Sequence, residues 1–242
     1  MPYREIFFEK DRPVHIISRA VGGLKIFQKE EDAFRFIFQL QTVNLGKRST
    51  NLKNKDMADA GRALLRGEKI PSDFIIQQHP PLINLLDFSL VVNHYHFYLL
   101  SNTENIIPAF MQKLNTSFAK YFNTKYKRKD ILFGSRYKGV LIKDQFQSDA
   151  VSRYVSIVNP LDVFQPKWRE KGLENWEKAI KFLENYEFSS FPDKVNKRQS
   201  KILAPKEVLE KYSLGQNEQE YREFTENFLK EKLNHLVPYF LE

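Results

Sequence analysis

Leu90-Val-Val-Asn-His-Tyr-His-Phe-Tyr-Leu-Leu100 decides how the rest of this 242-residue chain is read. The run is apolar and rich in β-formers, and Asn93 marks a tight turn inside it, so it predicts the second arm of a β-hairpin. Side chains alternate faces along a strand, which puts His94 and His96 on one face and Tyr95 on the other. Two neutral imidazoles side by side on a rigid strand make half of a divalent-metal site. The same pattern is also produced by two half-buried polar positions on a sheet face, so the spacing alone does not choose between these readings.

Working outward, Leu82 to Val92 supplies the first arm of the hairpin. Pro13 to Ser18 is a short β-prone run, broken by Gly22-Gly23, with His15 and Ile17 on one face. From Glu30 to about Val43 the residues Ala33, Phe34, Ile37 and Leu40 recur at helical spacing. Asn44 to Gln78 is polar and basic, with a short helix near Met57–Leu65, and reads as an insertion lying over the surface. Pro108 opens a helix carrying Phe110, Met111, Leu114, Phe118, Tyr121 and Phe122. Arg136 to Lys143 reads as a strand. Ser148 or Asp149 is expected to cap a helix from Ala150 to about Val158, stopped by Asn159-Pro160.

The resulting order, β-α-β-β-α-β-α, predicts an α+β fold: a ferredoxin-like split βαβ antiparallel sheet with helices on one face. Residues 1–165 form the expected main domain, with the insertion at about 44–80. Residues 166–242 form a helical C-terminal extension with helices over Gly172–Asn185, Pro205–Tyr212 and Asn217–Leu236. A basic loop runs from Lys194 to Lys201, and Trp168 and Trp176 are expected in the core.

Composition narrows the function classes. The formal net charge is +8, which points to an anionic partner, nucleic acid before an acidic membrane surface. There is no cysteine, so disulfides and cysteine-ligated zinc are excluded, and a reducing, cytoplasmic setting is the expectation. Met1 to Glu5 lacks the apolar segment of a signal peptide, and no apolar run approaches the ~20 residues that span a bilayer.

A metal beside a strand is useful for polarising a phosphate, and phosphoryl transfer needs a nucleophile on a neighbouring element. Tyr154 is the candidate, next to Arg153, because a cation can stabilise a developing phenolate. A packed core aromatic is the alternative for Tyr154; Tyr121, Tyr126 and Tyr137 are rivals, of which Tyr121 lies on the apolar side of its helix.

Five stretches in order carry a resemblance. His94-Tyr95-His96 resembles the HUH motif (His, hydrophobic, His) of single-tyrosine HUH transposases. His15-Ile-Ile-Ser-Arg19 resembles that family's opening strand. Leu114-Asn-Thr-Ser-Phe-Ala-Lys-Tyr-Phe-Asn123 resembles its Leu-Asn-x-x-Tyr-x-x-Tyr-Phe-Asn helix, with Phe118 at the first tyrosine. Phe133-Gly-Ser-Arg-Tyr-Lys138 resembles its Phe-x-x-Arg-Phe-Lys strand entry. Ser152-Arg-Tyr-Val-Ser-Ile-Val-Asn-Pro160 resembles the segment with the catalytic tyrosine and its Asn-Pro. The match runs from Pro2 to about Val163 apart from the insertion, and the subgroup it most resembles is the REP-associated tyrosine transposase-like proteins.

This resemblance implies a metal-dependent single-stranded DNA endonuclease and strand transferase. Mg²⁺ or Mn²⁺ would be held by His94, His96 and a polar residue of the tyrosine helix, with Tyr154 forming a 5′-phosphotyrosine link on hairpin DNA. Family members place an asparagine four residues after the tyrosine; here Asn159 is five after Tyr154 and Val158 holds the fourth place. Either the helix carries a bulge near Ile157–Val158, or the third ligand comes from elsewhere. Arg19, Lys125, Lys127, Arg128, Lys129, Arg136, Lys138 and Arg153 are the expected DNA contacts, and a homodimer is compatible with the pattern. Two other readings stand: a non-catalytic hairpin-binding module of the same fold, and a metal-free RNA-binding protein, which would expose aromatics on the histidine face of the sheet.

Overall fold

The computed structural model describes residues 7–134, 136–212 and 218–230. Met1 to Glu5, Pro2 as the start of the resemblance, Ser135 of the strand entry, Asn217 and the Ala-free run from Glu231 to Leu236 lie outside them. The strands are β1 (Pro13–Arg19), β2 (Gly46–Arg48), β3 (Ile75–Gln77), β4 (Ile83–Val91), β5 (His94–Ser101) and β6 (Lys138–Leu141). The helices are α1 (Glu30–Leu45), α2 (Asn54–Leu65), α3 (Ile107–Lys125), α4 (Gln145–Arg153), α5 (Asn159–Phe164), α6 (Trp168–Lys171), α7 (Trp176–Asn185), α8 (Phe191–Lys194), α9 (Lys206–Tyr212) and α10 (Glu218–Lys230).

The main sheet has the order β4-β5-β1-β6 and every pairing in it is antiparallel. This is the expected α+β split βαβ sheet, with the two histidines on its third main strand. A two-residue turn joins β4 to β5, since Val91 pairs directly with His94. The register puts Ile17 opposite His96, His15 opposite Tyr98 and Arg19 opposite His94.

Each sheet face has its own cover. Val14, Ile16, Tyr95, Phe97 and Leu99 form the main core with Phe36 and Ile37 of α1 and Phe110, Leu114 and Phe118 of α3. The Tyr95 hydroxyl donates to Asn115 Oδ1, and the Asn115 amide donates to Ser18 Oγ at 3.0 Å, which pins α3 to the sheet. These are the expected helices on one face. The opposite face, with His15, His96, Tyr98 and Leu100, is closed by the segment from α4 to α5 and by the C-terminal helices. Both faces are therefore covered, and the exposed aromatic platform that an RNA-binding sheet requires is not found among the described residues.

Three local readings are corrected. The insertion was expected to lie over the surface, yet α2 buries Met57, Ala58, Ala60, Leu64 and Leu65. Small residues allow the close approach: a Cβ at Gly61 would lie 1.9 Å from the Phe34 carbonyl oxygen of α1. The helix expected from Ala150 starts earlier, at Gln145, capped by Asp144, whose carboxylate accepts from the Gln147 N–H at 2.8 Å. It does not stop at Asn159-Pro160 either. A π-turn over Tyr154–Val158 carries it into α5, and the Asn159 N–H donates to the Tyr154 carbonyl five residues back. Pro160 cannot donate, and its ring would crowd the Ser156 carbonyl in a regular α-turn; the wider turn relieves that.

Described residues after 166 pack on the sheet. The Ser190 N–H donates to the Phe88 carbonyl, and the Leu90 N–H donates to the Phe188 carbonyl. Trp168 is buried as expected, whereas Trp176 is only half-buried.

Candidate active site

The geometry begins with strand alternation. His94 and His96 share a face, and their ring centroids are 5.0 Å apart. The β1–β5 pairing brings His15 beside them, with its Nε2 3.0 Å from His96 Nδ1 and the rings stacked at 5.3 Å. Tyr154 stands edge-on to both, 5.4 Å from His96 and 5.8 Å from His15 between centroids. The expected convergence of His94, His96 and Tyr154 at the sheet–helix junction is thus observed. His15 joins them, a residue the sequence reading put on a strand face but not in a site.

All three imidazoles are neutral at ordinary pH. Burial pulls His15 down to about 3. Burial does the same to His94, also to about 3, helped by Arg19 and Arg169. His96 is held well below its usual value by burial and by His15 and His94. A neutral imidazole keeps one nitrogen lone pair. His94 Nδ1–H donates to Asn93 Oδ1 at 2.6 Å, which leaves the lone pair on Nε2. His96 uses Nδ1 toward His15, and its buried Nε2 has no partner.

The π-turn brings Asn159 to the same region. Its side chain is fully buried; Oδ1 accepts from Arg169 at 3.3 Å, and Nδ2 has no partner. Arg169 on α6 is the other residue the sequence reading missed. It lies 5.3 Å over the Tyr154 ring, hydrogen-bonds the Tyr154 hydroxyl, and grips Asp162 with contacts of 3.2 and 2.5 Å. Burial by itself would lower the Arg169 guanidinium, but Tyr154 and Asp162 turn the net shift upward. No sequence signal links Arg169 to Tyr154, because their approach is set by the turn after α5.

A second buried cluster holds the tyrosine segment against the sheet. Asp87 on β4 accepts from Ser152 Oγ and Ser190 Oγ at 2.7 Å each, and pairs with Lys194 at 3.0 Å. Burial pushes the Asp87 carboxyl up, with Lys194 opposing it. Ser156 Oγ and the Tyr221 hydroxyl are 2.7 Å apart. Ser152 and Ser156 flank Tyr154, so β4, α8 and α10 together fix its place.

No family model matches the sequence, and no curated protein matches it. Among solved structures, the chain is similar to a REP-associated tyrosine transposase bound to a REP hairpin. The two are 10% identical, the alignment covers 85% of this chain and 92% of that one, and the TM-score is 0.45.

The expected DNA contacts separate into two sets. Arg19 is exposed at the end of β1, beside His94 in register. Lys127, Lys129, Arg136 and Lys138 are exposed, and Arg128 is half-buried. The loop that follows α3 is tied to the chain after β1 by the Val21 N–H donating to the Leu132 carbonyl at 3.0 Å. Lys138 pairs in register with Ile17, on the histidine face. Lys125 is committed elsewhere, at 2.5 Å from the fully buried Asp32. Arg153 is half-buried between Asp149 and Tyr221. In the basic loop, the half-buried Lys194 and Arg198 are held in ion pairs with Asp87 and Asp193.

Among the described residues, no group of three or more His, Cys, Asp or Glu side chains is arranged to hold a metal. The residues present still fit a divalent ion with water and substrate oxygens completing its shell. His94 keeps Nε2 available, His96 Nε2 is buried without a partner, and Asn159 Oδ1, which accepts from Arg169, is the third candidate donor. His15 is placed to orient His96, as an outer partner of a liganding imidazole does. No helix among the described residues is long and apolar enough to cross a membrane.

Proposed function

We propose that the protein is a metal-dependent single-stranded DNA endonuclease and strand transferase, with Tyr154 as nucleophile and hairpin DNA as substrate. One observation carries this reading: across the π-turn the Arg169 guanidinium hydrogen-bonds both the Tyr154 hydroxyl and Asn159 Oδ1, while the Tyr154 ring stands against His96. A lone core tyrosine needs no such company. The five ordered sequence blocks add to it.

In this reading His94, His96 and Asn159 hold Mg²⁺ or Mn²⁺, which when bound supplies Lewis-acid polarisation of the scissile phosphate. Arg169 steadies negative charge on the Tyr154 oxygen as its proton leaves. The oxygen attacks phosphorus, an O–P bond forms, and the P–O3′ bond breaks. The departing strand takes a proton as its 3′-OH, and the 5′-phosphate remains on Tyr154. Attack by a 3′-OH reverses the step and rejoins strands without an external energy source. The exposed cations Arg19, Lys127, Lys129, Arg136 and Lys138, with Arg128, hold the phosphates of the strand.

A hairpin-binding module that keeps the fold is the second reading. It is favoured by the burial of Tyr154 at 1% exposure and by Arg169 occupying the Asn159 oxygen. Incubation with hairpin single strands and Mn²⁺, followed by a denaturing gel, separates the two. The expected result is a covalent adduct that disappears in Tyr154→Phe while hairpin affinity is kept. His96→Ala is expected to lose the adduct with partial rescue by more Mn²⁺, and Asn159→Ala to lose it in part. Tight hairpin binding without an adduct in either Mg²⁺ or Mn²⁺ selects the binding module. An adduct that survives Tyr154→Phe moves the nucleophile to another tyrosine, Tyr137 first.

A further inference from the structure

On the far side of the sheet from the histidines, a cavity of about 420 Å³ opens between α1, the β2 strand and α3. Its lining gathers five cations, Arg35, Lys47, Arg48, Lys113 and Lys120, and no carboxylate. None of the five has an acidic partner within ion-pair distance among the described residues. Four are exposed and stand around the opening, while Arg35 lies within at 6% exposure.

Arg35 is the unusual member. A guanidinium carries five N–H donors and is seldom buried without an anion to receive them. Here Nη1 donates to Gln39 Oε1 at 2.8 Å, the plane lies 5.2 Å over the Tyr121 ring, and the buried Nε–H has no partner. The nearest carboxylate on the same helix, Asp32, is already saturated by Lys125, Tyr121, Tyr126 and the Lys29 N–H. Burial, with Arg48 adding to it, pulls the Arg35 guanidinium down to about 10, so it is still charged at neutral pH. Gathering like charges around a desolvated cation costs stability unless an anion fills the space.

The insertion builds this site. It contributes Lys47, Arg48, Asn54 and Met57 to the lining, and Lys113 Nζ holds the Gly46 carbonyl at 3.0 Å, which fixes the β2 wall. The volume is in the range of small-ligand pockets, larger than a bare anion needs. We propose that this cavity binds a phosphate-bearing ligand of mononucleotide size, its phosphate received by Arg35 and Arg48. The ligand is a free nucleotide or the terminal nucleotide of a strand; the chemistry recognised is the same. The proposal does not depend on the tyrosine reading, since the cavity and the histidines lie on opposite faces.

The test is calorimetric titration of inorganic phosphate and of dAMP into the full-length protein with EDTA present, which keeps metal from the histidines. Both are expected to bind. Arg48→Gln, on the exposed rim, should weaken dAMP roughly tenfold, the worth of one charge-assisted contact. Arg35→Gln should weaken it at least as much, with a melting curve to show that it folds, and His96→Ala should leave it unchanged. A 5′-phosphorylated oligonucleotide preferred over its 5′-hydroxyl form, with the preference lost in Arg48→Gln, assigns the site to a strand end. Equal affinity for the two oligonucleotides, with dAMP bound, assigns it to a free nucleotide. Absence of binding by phosphate and dAMP up to millimolar concentration overturns the proposal. So does dAMP binding that Arg48→Gln leaves intact, or that His96→Ala removes.

Discussion

Asp32 shows how one residue can redirect a whole patch of charge. Its carboxylate is fully buried and accepts from Tyr121 at 2.8 Å, Tyr126 at 2.6 Å, Lys125 at 2.5 Å and the Lys29 N–H at 3.0 Å. Burial alone would raise its pKa, but these donors reverse that and hold it below the usual value. A carboxyl depressed in the folded state contributes stability that is present above its unfolded value and lost as pH falls through the folded one. The protein should therefore lose stability below about pH 4, the ordinary unfolded range of aspartate. Asp32→Asn should be less stable at neutral pH and show a flatter acid limb. Urea unfolding at neutral pH and at about pH 3 measures both, and parallel acid limbs in the two proteins would rule this out. Lys125, which looks in the sequence like one more cation of a basic run, is the counter-ion of this site.

Two elements carry features set by single small or cyclic residues. Helix α2 reaches the core only because Gly61 lets its backbone meet the Phe34 carbonyl, where a Cβ would stand 1.9 Å away. Gly61→Ala gains helix propensity in isolation, yet the clash should dominate and cost about 1–3 kcal/mol, read by urea denaturation. A variant as stable as the parent would mean that α1 and α2 separate at no cost. The tyrosine helix is the other case. Its spacing of five from Tyr154 to Asn159 is explained by a π-turn next to Pro160, so the insertion of one residue in the count is absorbed by one wider turn of backbone. The bulge named as an alternative in the sequence is present, as the Asn159 N–H to Tyr154 carbonyl bond shows.

Across the described residues, the basic side chains divide into those held in buried ion pairs and those exposed to solvent. Replacing Lys127 and Arg128 together should flatten the salt dependence of single-strand binding by about 0.7 of a unit per lost phosphate contact, with the fold intact. Lys125→Gln should instead lower stability, because it strips a buried carboxylate of its counter-ion, and should leave the salt slope nearly unchanged. Filter-binding slopes and melting curves on the same proteins check the division. By itself the sequence determined the order of the four main strands and the helices among them, the shared face of His94 and His96, and the candidacy of Tyr154, but not the β2–β3 pair of the insertion. The first two follow from local periodicity, where a residue's neighbours along the chain fix which way it points; Tyr154 follows from a phenol next to a cation. The tertiary structure alone decided the place of His15 beside His96, of Arg169 over Tyr154, and of Lys194 on Asp87. It also placed α2 in the core and closed the histidine face with the C-terminal helices. Those contacts join residues that are distant in the chain, and their geometry depends on strand register, on the π-turn and on how small side chains let helices approach. No pattern along the chain encodes such distances.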